Sequence, residues 1–242
     1  MKATIALSLL GAVLIYNGVK SSPPRVVLWV WERPEDLSKA DPGTTELAIL
    51  VKSIELRSSG IRSRPRFQPV KAPPGIGSIA VVRIDSDPGF APTAGETGRV
   101  AKEVVDALPP GVRSLQIDYD ARESERGFYR QILGVVRRDL PPGTHLAITA
   151  LASWCLDDSW ISDLPIDEAV PMLFRMGADR RSVVQHLISG GDFRLPVCRQ
   201  SLGLSLDEPI DRLPAGRRLY FFSPSRWNDR ELAAAANAMV RP

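Results

Sequence analysis

The chain has 242 residues, with 31 Lys and Arg against 28 Asp and Glu, two His and two Cys. Its 44% hydrophobic and 24% charged residues exclude a disordered or collagen-like chain. A formal net charge of +3 with interspersed signs, and Arg-rich stretches without interleaved aromatics, argue against nucleic acid as a partner.

Lys2 precedes an uncharged apolar run over residues 3–15. That run is shorter than the roughly 20 residues a bilayer core requires and has the length of a secretory h-region. Residues 1–22 are therefore expected to be a signal peptide, with Val19-Lys20-Ser21 as a weak cleavage context, or an uncleaved anchor. The expected location is periplasmic or secreted, with membrane contact only through this segment. A buried amino-terminal element is the alternative.

From residue 23 to 242 one domain is expected, a length that α/β barrels reach undivided. Strands are predicted over 26–31, 47–56, 78–85, 114–120, 145–152, 167–176, 199–206 and 217–223. Ser58-Ser59-Gly60 turns the second into a hairpin arm over 61–70, which Pro65 and Pro69 confine to an edge. Helical periodicity covers 95–108, 124–140, 179–188 and 229–240, and two Pro-Pro-Gly runs, at 109–111 and 141–143, act as stops. Strands alternating with helices predict a parallel sheet. Eight strands, with no glycine-rich turn after the first, favour a (β/α)8 TIM-like barrel over an open dinucleotide-binding sheet. Its first crossovers are degenerate, and the hairpin follows the second strand.

Period-two alternation sorts the faces. Leu115, Ile117 and Tyr119 suit the helix side, which turns Gln116, Asp118 and Asp120 inward. Likewise Ser201, Gly203, Ser205 and Asp207 oppose Leu202, Leu204 and Leu206, Arg83 and Asp85 oppose Val82 and Ile84, and Thr149 and Ser153 turn inward. Barrel active sites lie at the carboxyl ends of the strands, where these charges gather. Two close carboxylates resist ionising together, which suits glycosidic bond hydrolysis. The candidate catalytic residues are Asp118, Asp120 and Asp207. Glu32, Asp85, Arg83 and Arg175 are candidates for binding substrate and placing charge. A structural network, in which Arg83 and Arg175 neutralise the aspartates, is the other reading of the same residues.

Tryptophans suit stacking on sugar rings, and Trp31, Trp154 and Trp227 are expected at the rim, with Trp29 and Trp160 packed inside. Neither a serine-nucleophile elbow nor a phosphate loop occurs, and His145 and His186 are poorly placed for a triad. No metal-ligand spacing is present, so neither metal nor other cofactor is expected. An exported chain favours pairing Cys155 with Cys198, whereas the opposite strand ends they flank oppose it. Both outcomes stay open.

The phrases VWERPEDL (30–37), QIDYDARES (116–124), ALASWC (150–155) and DEAVPMLFRMG (167–177) resemble a bacterial family filed as domain of unknown function 3142, over residues 26–223. The resemblance implies an envelope or secreted protein with a glycoside-hydrolase-like barrel and carries over no catalytic residues. Asp118-Tyr119-Asp120 is also similar to the Asp-x-Asp-x-Glu strand end of chitinase-type barrels, but Arg122 stands where the acid belongs and Glu123 comes one residue late. The expectation is a glycoside-hydrolase-like barrel acting on a carbohydrate through paired aspartates. The alternatives are a carbohydrate-binding protein without catalysis, or an envelope interaction protein using the hairpin edge.

Overall fold

The computed structural model describes residues 26–238; the expected signal or anchor segment lies outside the described residues. In chain order the elements are β1 (Val26–Val30), β2 (Glu35–Asp36), β3 (Thr45–Arg57), β4 (Gly60–Pro65), β5 (Val70–Lys71), β6 (Gly77–Ser86), α1 (Ala94–Val105) and β7 (Ser114–Asp118). Then come α2 (Arg126–Asp139), β8 (His145–Leu151), α3 (Ala152–Leu156), β9 (Glu168–Met172), α4 (Arg180–Ile188), β10 (Ser201–Ser205), β11 (Arg218–Phe222) and α5 (Asp229–Asn237).

Eight parallel strands close on themselves in the order β1, β3, β6, β7, β8, β9, β10, β11 and back to β1. Val26 closes the ring, in register with Thr45 on one side and Leu219 on the other. The chain folds as the expected TIM-like (β/α)8 barrel. Its first two crossovers carry no helix: β2 and β5 pair as a short parallel ribbon, and β4 runs antiparallel to the far half of β3. Residues 206–217, between β10 and β11, also lack an α-helix.

Local chemistry sets the element ends. Glu96 reaches back to accept the Thr93 N–H at 2.8 Å, which caps α1. The chain leaves α1 and α2 through Gly111 and Gly143, whose φ values of 83° and 78° are the left-handed conformation that glycine adopts without strain. Two apolar layers follow from the alternation. Leu115, Ile117, Leu146 and Ile148 bury outward with Ile132 and Val136 of α2, each such side chain contributing about 1.5–3 kcal/mol. Val27, Trp29, Ala48, Val81, Val170 and Tyr220 fill the barrel itself. Below them a polar plug closes the amino-terminal end: Glu168 accepts from Ser201 and Tyr220, and Arg218 pairs with Glu46.

Cys155 and Cys198 are joined, with Cα atoms 5.9 Å apart. The strand-end argument against the bridge fails because Cys155 lies in α3 and Cys198 in a 3-10 turn before β10. Both segments pack against β9, and the Arg194 N–H donates to the Cys155 carbonyl at 2.9 Å.

Candidate active site

Asp118 ends β7 with its side chain only 3% exposed. Its Oδ2 accepts from Arg83 Nη1 at 2.8 Å and its Oδ1 from Thr149 Oγ1 at 2.7 Å. One arginine of β6 and one threonine of β8 therefore hold it from the two neighbouring strands. The same guanidinium reaches Asp85 Oδ1 at 2.8 Å and Asp120 Oδ2 at 3.8 Å. Burial works against the Arg83 charge, yet Asp118 and Asp85 hold this guanidinium protonated well above the usual arginine range.

Asp120 differs from Asp118. It stands at the mouth with its side chain 45% exposed. The protein crowded around its carboxyl pushes its pKa up, Asp118 and Asp85 add to the rise, and Arg83 opposes them. Deeper in the lumen, Gln116 Oε1 accepts from Trp29 Nε1 at 2.7 Å, while Gln116 Nε2 is buried without a partner.

Across the lumen the wall is aromatic. β11 lies four strands from β7 either way round the ring. Its Phe222 stacks on Phe174 with 5.5 Å between centroids, and Trp31 meets it edge-on at 6.1 Å. Arg175 lies over the Phe222 ring at 4.9 Å. Asp207 is exposed just beyond β10 and accepts from Ser205 Oγ.

No protein-family model and no curated protein matches the chain. Among solved structures, the chitinase domain of the spore coat protein CotE from Clostridium difficile is similar at a TM-score of 0.47 and 14% identity, covering 85% of this chain and 71% of that one. The closed ring of parallel strands establishes the barrel independently.

Of the expected site residues, the fold brings Arg83, Asp85, Asp118 and Asp120 into one group. Asp207, Arg175 and Trp31 lie at the same end, just beyond the carboxyl ends of β10, β9 and β1. Four expectations need correction. Trp154 is buried in α3 against Trp160, because the chain turns helical at Ala152 and strand alternation stops there. The same turn takes Ser153 out of the strand pattern. Trp227 is buried outside the barrel, its Nε1 donating to the Trp29 carbonyl at 3.0 Å. Glu32 faces the hairpin: it accepts the Phe67 N–H at 3.1 Å and lies 3.9 Å from Arg64. Arg122, in the position of the chitinase-type acid, pairs with buried Glu125 and donates to the Asp87 carbonyl.

Phe174, Phe222 and Glu208 were missed by reasoning from tryptophans and strand-end aspartates alone. Both phenylalanines continue the inward alternation of their strands, from Glu168 and from Arg218, which is the signal that could have found them. Among the described residues, no group of three or more His, Cys, Asp or Glu is arranged to hold a metal ion, and no helix is long and apolar enough to cross a membrane. A cavity of about 700 Å³ lies between the outer faces of β10 and β11 and α5, and none of the four grouped charged residues lines it.

Proposed function

We propose that the barrel mouth binds a glycan and hydrolyses a glycosidic bond, with Asp120 as the general acid. The observation that carries this reading is one arginine shared by a buried carboxylate, Asp118, and a half-exposed one, Asp120, at the strand ends of a closed barrel. Asp118 is enclosed by Arg83 and Thr149, so it acts on Asp120 and not on substrate. Asp120 passes its proton to the glycosidic oxygen as the bond from that oxygen to the anomeric carbon breaks. Asp207, on the far side of the mouth, takes a proton from the attacking water.

A second reading, sugar binding without cleavage, is favoured by Arg83 itself, which lies within 4 Å of all three neighbouring carboxylates and offsets their charge. A glycan panel scored for both binding and new reducing ends separates the two. Turnover lost in Asp120→Asn and in Asp207→Asn supports hydrolysis. Binding without turnover supports the second reading, and turnover indifferent to both substitutions removes the site. Export is part of the proposal; the disulfide is what an oxidising compartment favours. Fractionating cells that express the whole chain tests it.

A further inference from the structure

Arg175 is the non-glycine residue with positive φ among the described residues, at 52°. Arginine gains nothing from that left-handed conformation, so the surroundings must hold it there. Glu208, just beyond β10, does so: its two carboxylate oxygens each lie 3.2 Å from the Arg175 backbone N–H, and Arg180 Nη1 fixes Glu208 at 2.8 Å. The guanidinium carbon that results lies over Phe222, 4.9 Å from the ring centroid, and that ring is itself stacked on Phe174.

Attraction to the face of a ring places a guanidinium without occupying it with a hydrogen-bond acceptor. Among the described residues no carboxylate lies within ion-pair distance of Arg175, and its side chain makes no hydrogen bond; Arg83, across the mouth, has three carboxylates. The mouth therefore presents a positioned and unused planar fork of donors. Such a fork matches the two oxygens of a carboxylate, at a fixed place opposite the proposed acid.

We propose that Arg175 selects glycans that carry a carboxylate, so that the substrate class is an acidic, uronate-type sugar. This rests on the mouth being a glycan site. The acidic wall repels the sugar's carboxylate and the arginine attracts it, which turns the anionic end toward Phe222 of β11 and the neutral glycosidic linkage toward Asp120. Trp31, half-buried beside Phe222, is the ring available for stacking the sugar itself.

The test uses uronate oligosaccharides of several linkages, each paired with its carboxyl-reduced counterpart, titrated calorimetrically against the whole protein in the Asp120→Asn background. The expected result is at least one pair in which the uronate binds tenfold or more tightly than its reduced form. That preference should fall to within twofold in Arg175→Gln. Arg175→Gly is the second variant: it removes the fork and relaxes the left-handed backbone, so it should keep or raise the melting temperature while losing the same preference. A panel with no uronate preference, or a preference that survives both substitutions, overturns the proposal. Cleavage of neutral glycans without uronate preference overturns this proposal and leaves the hydrolase reading. Uronate preference without turnover in the unsubstituted protein does the reverse.

Discussion

Arg83 Nη1 lies 2.8 Å from Asp118 Oδ2, and it is the guanidinium in contact with that buried carboxylate. Removing one partner of such a pair leaves a charge out of water without compensation. Arg83→Leu should therefore destabilise the protein by about 3 kcal/mol, the low end for a buried pair because Arg83 is partly open to solvent. Denaturant titration checks this. Arg83→Leu combined with Asp118→Leu should be more stable than the two single losses sum to, by at least about 1 kcal/mol. Additivity would mean that the pair does not hold the two strand ends together.

Asp120 yields a pH dependence of defined sign. Its pKa is raised above the ordinary 3.8, so the folded state holds this proton more tightly than the unfolded chain does. The stabilisation is complete below that ordinary value and is lost as pH rises through it toward the folded value. Asp120→Asn should thus be more stable than the parent at pH 7, with the difference vanishing below about pH 4. The same substitution should lower turnover by about 10²–10⁴-fold, the range for a lost general acid. Thermal melts at both pH values, read beside the activity, test the two effects. A variant that is less stable at pH 7 would show that the carboxylate serves the fold.

Much of the fold was legible because strand alternation and Pro-Pro-Gly stops are local signals. Gln116 and Asp118 face the lumen as period two demands, and α1 and α2 end at the two stops. The acidic group was legible for the same reason. Alternation says nothing once a strand has ended, and for that reason Trp154 was expected at the rim and lies in the outer layer. It also does not reveal partners: Arg66, which clamps the loop after β1 by donating to the carbonyls of Val30, Trp31 and Arg33, is indistinguishable in sequence from its exposed neighbours Arg62 and Arg64. The backbone of Arg175 was equally hidden, since its conformation depends on Glu208, 33 residues away.

The Cys155–Cys198 bridge closes a loop of 43 residues that contains α4. Restricting such a loop in the unfolded chain is worth about 4 kcal/mol on the chain-entropy model. The Cys155→Ser/Cys198→Ser variant, or the protein under reductant, should lose stability up to that amount. A denaturation midpoint unchanged by reductant would show that the bridge does not constrain the unfolded chain.

Gly203, in the middle of β10, faces Trp29 in the lumen. A Cβ there would lie 2.9 Å from Trp29 Cη2, 3.3 Å from the Pro171 carbonyl oxygen and 3.4 Å from Met172 Cα. The ring cannot retreat freely, since its Nε1 is bound to Gln116 and its face lies against Tyr220. Gly203→Ala should therefore cost about 1–3 kcal/mol through overpacking. Gly134 in α2 is the counterpart: its backbone is helical, and a methyl group added there would meet nothing within 4 Å. There Gly134→Ala should stabilise by about 0.5–1 kcal/mol. Opposite shifts in the two midpoints, measured under one denaturant series, test whether the lumen is as tightly filled by Trp29 as these distances require.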